Sequence, residues 1–225
     1  MNAYEYIKKA IIHGNLEPGK RLAEESLAKE MSISRTPIRE AIKQLEAEGL
    51  VIPLKRGVKV RHFTEEDVKQ IYDLRSLLEG YAASQAAIYR TQKHINEMEK
   101  ANQLLEMAIE RFIEKDLNYT NDIVNSNHYF HEAVIAASNN AHIQFHISKV
   151  VVLPLVFRSF LGYNHSQLRQ SLEFHKTILT AIKNNEPERA RIAMQEHIYK
   201  GRDLVLVKMQ KKIKEVEGAL HDRNL

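Results

Sequence analysis

The sequence predicts a mainly α-helical protein, with an N-terminal winged helix-turn-helix over residues 1–63 and an all-α helical bundle over residues 64–225. Three observations carry this. Only eight Gly and five Pro occur in 225 residues, too few for the turns of an all-β sandwich. After Phe63, apolar residues recur at helical spacing almost to Asp222. Before it the chain is turn-rich: residues 1–62 hold three of the five Pro and four of the eight Gly. At 44% apolar and 28% charged, the chain can bury a substantial core.

Each element of the first part has a local reason. Tyr4, Ile7, Ala10 and Ile11 form one stripe of a helix over Ala3–His13, which Gly14 stops. Leu16-Glu17-Pro18-Gly19 is a turn. A short helix over Glu24–Met31 is broken by Ser32-Ile33-Ser34. The next begins near Thr36-Pro37, where a first-turn proline is tolerated, and ends at Gly49. Ile38, Ala41, Ile42 and Leu45 give it an apolar face. Leu50–Pro53 and Val58–Arg61 alternate like two strands around Lys55-Arg56-Gly57, a hairpin. Beyond, Thr64 with Glu65, Glu66 and Asp67 starts a helix as cap and acidic first turn. Breaks near Thr91, Asp116, Ser138–Asn140, Gly162–Asn164 and Asn184–Pro187 divide the bundle into about six helices.

Charge is distributed unevenly. Residues 1–62 carry twelve Lys and Arg against eight Asp and Glu, whereas the rest carries twenty-one of each. The whole excess of +4 therefore sits in the first quarter, as in a polyanion-binding module joined to a neutral body. Arg35, Arg39 and Lys43 recur every four residues, opposite the apolar face of their helix. At the start of the second helix of a helix-turn-helix, such side chains reach base edges in the major groove. Ser34 and Thr36 can donate hydroxyls to phosphate. A basic tip at Arg56 and Gly57 can enter the neighbouring minor groove. The same spacing would also suit a solvated helix face.

Other chemistry is narrowed by what is missing. With no Cys, there are no disulfides, thiolate metal ligands or cysteine nucleophiles. The start lacks the charged leader and apolar run of a secretory signal. The most apolar stretch, Val150–Phe157, falls short of the ~20 residues of a membrane span. A soluble, cytoplasmic protein without a membrane partner is expected.

The residues Leu16-Glu17-Pro18-Gly19-Lys20-Arg21-Leu22, Glu24-Glu25-Ser26-Leu27-Ala28 and Ile33-Ser34-Arg35-Thr36-Pro37-Ile38-Arg39-Glu40-Ala41, continuing through Glu48-Gly49-Leu50-Val51, resemble the GntR family of bacterial repressors. The resemblance implies that Ser34, Arg35, Thr36 and Arg39 contact double-stranded operator DNA, together with the wing at Arg56 and Gly57. Some relatives carry a further basic residue where this chain has Glu25, so that contact is not carried over. The remainder resembles the FadR-type C-terminal domain of that family, called FCD. Its marks are Arg75-Ser76-Leu77-Leu78-Glu79, Phe130-His131, Asn139-Asn140, Glu173-Phe174-His175 and Ala190 to His197.

In many FCD domains an Asp and three His from different helices hold a divalent metal above a small carboxylate. The resemblance selects His131, His175 and His197, with Asn127 at the Asp position. Asn127 and His131, at i and i+4, share a helix face. Imidazole suits zinc, nickel, cobalt or copper, zinc or nickel foremost, and an amide oxygen brings no negative charge. A histidine on an amphipathic helix is otherwise an ordinary packed or surface residue. Arg75 is the candidate partner of a ligand carboxylate, although its spacing fits an Arg75–Glu79 surface pair equally well. Asn125, Tyr129 and Arg158 are weaker candidates for the same effector pocket.

The expected function is a ligand-responsive transcriptional regulator, not an enzyme. It would sense a small carboxylate through a metal-containing pocket and act as a homodimer, with Val150–Phe157 and Leu204–Val207 as spare apolar surface. A metal sensor is the alternative. A three-histidine metallohydrolase is remote, because no carboxylate sits at the spacing of a general base.

Overall fold

The computed structural model describes residues 2–113, 116–150 and 163–221. Two compact units result, one of Met1–Thr64 and one beginning at Glu65. The described residues form nine helices and a three-stranded sheet.

The first unit contains α1 (Ala3–Ile12), β1 (Arg21–Leu22), α2 (Glu24–Met31), α3 (Arg35–Ala47), β2 (Val51–Pro53) and β3 (Val58–Val60). Asn2 caps α1 by accepting from the Glu5 N–H at 2.8 Å. Ser32 ends α2 in the left-handed region at φ 54°, and this residue separates α2 from α3. The stripe Ile38, Ala41, Ile42 and Leu45 is buried as its spacing requires. It packs with Ile7, Ile11, Leu27, Val51 and Val60 in one core.

The wing has a strand that alternation did not disclose. The sheet order is β1-β3-β2, all antiparallel, with Arg21 opposite Lys59 and Pro53 opposite Val58. A two-residue strand carries no periodic signal, so only pairing reveals it. Pro53 sits on an edge strand, where its missing N–H costs no ladder bond. At the wing tip Gly57 has φ 80°, and the Leu54 N–H donates to its carbonyl at 2.9 Å. A β-carbon there would be strained in backbone and would lie 3.4 Å from the Leu22 carbonyl oxygen.

The second unit contains α4 (Glu65–Tyr89), α5 (Gln92–Glu110), α6 (Leu117–Ala137), α7 (Ala141–Val150), α8 (His165–Lys183) and α9 (Pro187–His221). Capping boxes start α5 at Thr91 with His94 and α8 at Asn164 with Gln167. Asn139 and Asn185 turn the chain in the left-handed region after α6 and α8. These are the positions where periodicity breaks. The central helix α4 packs on α6, α7, α8 and α9, burying Ala82, Ala83, Ala86 and Ala87 completely. Gly80 lets α4 and α9 approach closely, because a β-carbon would come within 2.7 Å of the Gln195 side chain. Among the described residues, no helix is long and apolar enough to cross a membrane.

Of the apolar stretches expected to be spare, Val150–Phe157 lies beyond Val150 outside the described residues. In Leu204–Val207, Val205 is buried in the bundle and Val207 is exposed. That stretch is therefore partly core. Among the described residues, an exposed apolar stripe also runs along α4, at Leu74, Leu77, Tyr81 and Ile88.

Candidate functional site: a basic helix and a buried histidine cluster

Packing one face of α3 leaves the opposite face in solvent. Ser34, Arg35, Thr36, Arg39 and Lys43 are all exposed along it, and Arg56 and Gly57 are exposed at the wing tip. Ser34 occupies the N-cap position of α3 without spending its side chain on a cap bond. One residue here was not singled out by sequence. Glu24, the first residue of α2, accepts from Arg39 Nε at 3.1 Å, Arg39 Nη2 at 2.9 Å and Arg35 Nη2 at 3.3 Å. The bonds from Arg39 are the chief cause holding the Glu24 carboxyl below the usual carboxylate range.

In the second unit α6, α8 and α9 bring three buried rings together. His131 Nε2 lies 3.1 Å from His197 Nε2, and His175 Nε2 lies 3.2 Å from the same atom. Each ring is fixed differently. His131 Nδ1 lies 2.6 Å from Oε2 of Glu79 on α4. His175 stacks on the fully buried Phe130, with centroids 4.0 Å apart and planes 10° from parallel. Its Nδ1 has no hydrogen-bond partner among the described residues.

Electrostatics set the protonation. Burial alone would raise the Glu79 carboxyl, but the Arg75 charge and the hydrogen-bonded contacts with His131 and Arg75 outweigh it and hold it at about 2. An ionised Glu79 only accepts, so His131 Nδ1–H donates, which in the neutral ring puts the lone pair on Nε2. Burial, reinforced by the neighbouring imidazoles, pushes His175 and His197 well below their usual value. In the neutral rings that a metal would require, a single proton on His197 Nε2 can make a hydrogen bond of only one of its two contacts. Facing lone pairs of this kind fit a cation. Two nitrogens ~2.1 Å from one ion and ~3.1 Å apart subtend roughly 95–100°, between the octahedral and tetrahedral angles. One turn before His131, the Asn127 Oδ1 is buried without a partner among the described residues. His131, His175, His197 and Asn127 could thus hold a divalent metal.

The remaining candidates divide. Arg75 does pair with Glu79 as i and i+4, at 2.8 Å, but the pair is buried, with side chains 7% and 1% exposed. Its guanidinium also lies 5.0 Å from the Tyr72 ring centroid. Asn125 is exposed. The Tyr129 hydroxyl donates to Glu97 on α5. Arg158 lies outside the described residues. The missed member is Glu79: its motif neighbourhood was visible, but its role depends on a contact to a residue 52 positions away.

Comparison with known proteins agrees with both halves. The model of bacterial regulatory proteins of the gntR family matches residues 1–59, and that of the FCD domain matches residues 70–200. The chain is 31% identical over 196 residues to the uncharacterized HTH-type transcriptional regulator YdhC of Bacillus subtilis, covering 86% of this chain and 85% of that one. It is 25% identical over 221 residues to the gluconate operon transcriptional repressor of Bacillus licheniformis, covering 96% and 82%. The solved structure of E. coli McbR/YncC superposes with a TM-score of 0.75 over 92% of this chain and 96% of that one, at 23% identity, and so shares its fold. The chain belongs to the GntR family of bacterial transcriptional regulators and carries an FCD domain.

Proposed function

We propose that this regulator is a ligand-responsive repressor. Its residues 1–63 read double-stranded operator DNA, while residues 64–225 bind a small carboxylate effector and dimerise. The single observation that carries the sensing role is the convergence of three buried imidazole nitrogens beside an ionised, buried carboxylate. His131, His175 and His197, with Asn127 as an uncharged oxygen donor, would hold one divalent ion, zinc or nickel. When bound, that ion supplies a Lewis-acid attachment point for a carboxylate.

The chain's own residues do the rest. Glu79 holds the His131 ring with Nε2 turned inward, and Phe130 fixes the plane of His175. Arg75 gives Nε to Glu79, and its planar guanidinium suits a carboxylate. An effector seated on Arg75 also acts on the Glu79–His131 bond, so anion and metal sites are linked. The relatives include repressors named for the gluconate operon, and gluconate is a carboxylate. A ligand changes DNA binding only as far as it prefers one arrangement of the dimer.

On DNA, the exposed face of α3 enters the major groove, with Arg35 and Arg39 at base edges and Ser34, Thr36 and Lys43 toward phosphate. Arg56 and Gly57 of the wing lie along the minor groove. Family members bind operator DNA and act as dimers. For self-association we assign the exposed α4 stripe of Leu74, Leu77, Tyr81 and Ile88.

A second reading, in which the ion itself is the signal, is favoured by Asn127: an all-neutral donor set binds more weakly, so occupancy can follow metal supply. One experiment separates the two. Protein purified without affinity metal is reconstituted with zinc or nickel, then titrated with a panel of small carboxylates and with duplex DNA. The effector reading expects one ion per chain, carboxylate binding to metal-loaded protein, and altered DNA affinity only with carboxylate. DNA affinity that responds to metal alone selects the sensor. No metal after reconstitution, with unchanged melting in EDTA, refutes both.

A further inference from the structure

We propose that Glu24 is a positioning residue for base reading: it grips one side of the Arg39 guanidinium and aims the outer fork at a base. This rests on the reading that α3 lies in the major groove. Glu24 starts α2, the helix that does not itself present the basic face. Its two carboxylate oxygens take the side of the guanidinium, Oε1 from Nε and Oε2 from Nη2, at 3.1 and 2.9 Å. That bidentate grip uses Nε–H and the Nη2 hydrogen beside it. The far end, formed by Nη1 and the other Nη2 hydrogen, points away from the acid. This end matches the spacing of guanine O6 and N7.

The exposure pattern fits a brace better than a buried ion pair. Glu24 is 26% exposed, whereas Arg35 and Arg39 are 59% and 56% exposed. The acid is therefore the sheltered partner, and the arginine heads stand in solvent where DNA would lie. Arg35 Nη2 reaches the same Oε2 at 3.3 Å, so one carboxylate ties together two side chains four residues apart on α3. An exposed arginine is otherwise rotamer-rich, and fixing it before contact reduces what must be ordered on binding. An acid facing DNA also repels phosphate, which weakens binding to any duplex. Glu24 thus trades general affinity for discrimination.

Selection from a random duplex library with the full-length protein tests this, followed by fluorescence anisotropy on the selected duplex and a scrambled duplex of equal length. The wild type should enrich a site containing guanine in each half. Glu24→Gln cannot accept at both oxygens, so its selected pool should lose preference at that guanine, and its ratio of selected to scrambled affinity should fall about tenfold. Its affinity for scrambled duplex should not fall. Glu25→Gln makes the same charge change one residue along, at an exposed side chain, and should keep the preference. Where Glu24→Gln lowers the melting temperature, Glu24→Asp tests the same geometry at unchanged charge, and it too should lose the preference. A Glu24→Gln protein that selects the same site with an unchanged ratio overturns the inference, whether its affinity rises or falls on both duplexes together. A wild type that enriches no site overturns the α3 reading and this inference with it.

Discussion

Replacing Glu79 by Gln in metal-free protein removes a charge that the bundle has built in. The Arg75 and Glu79 side chains are 7% and 1% exposed, so solvent screens their attraction little. The carboxyl is held at about 2 against an ordinary 4.5, and one pKa unit corresponds to ~1.4 kcal/mol, which makes the stabilisation at neutral pH about 3 kcal/mol. Breaking a buried pair by removing one partner costs about 3–5 kcal/mol, in agreement. The sign follows from a lowered acid. Between the folded and unfolded values the unfolded chain binds more protons, so stability rises with pH across that window. The contribution is fully present above about pH 4.5 and is lost as pH falls toward 2. Glu79→Gln should therefore melt roughly 6–12 °C below wild type at pH 7. The gap should narrow once the pH drops below about 4.5. Thermal unfolding followed by circular dichroism in EDTA, at pH 7 and at steps down to the acid limit of folding, measures both. A variant as stable as wild type at pH 7, or a gap of constant size through the acid range, would refute the charged-pair argument.

Arg39→Ala should weaken binding to a selected duplex far more than to random DNA; equal losses in anisotropy would reduce Arg39 to a phosphate contact. His175→Ala should abolish stoichiometric metal and Asn127→Asp should tighten it, read by elemental analysis after equilibrium dialysis. Because His175 and His197 are held well below the usual imidazole value, they remain neutral through pH 6.5. Protonation of these two rings should therefore weaken metal binding only in solution more acid than ~6.5, where protons compete for their Nε2 atoms. Leu77→Glu, on the exposed α4 stripe, should shift sedimentation toward the monomer without lowering helix content; an unchanged dimer removes α4 from the interface.

What short-range physics controls can be read from the residues in order. Caps, left-handed turns and 3.6-residue apolar spacing act over a few residues, so the α3 stripe of Ile38, Ala41, Ile42 and Leu45 and the breaks near Thr91, Asn139 and Asn185 are legible and present. The family motif likewise identified His131, His175 and His197, which the fold brings together. What those residues touch depends on how the helices dock. An i, i+4 spacing is the same on a wet face and a buried one, and only the packing of α4 among four helices makes Arg75–Glu79 a buried pair. Tyr129 shares a helix with His131, yet its hydroxyl turns to Glu97 because α5 lies on that side. The Glu24–Arg39 bonds span 15 residues, Glu79–His131 spans 52 and His131–His197 spans 66. Contacts at such separations follow from the docking of whole helices, which composition and periodicity do not encode.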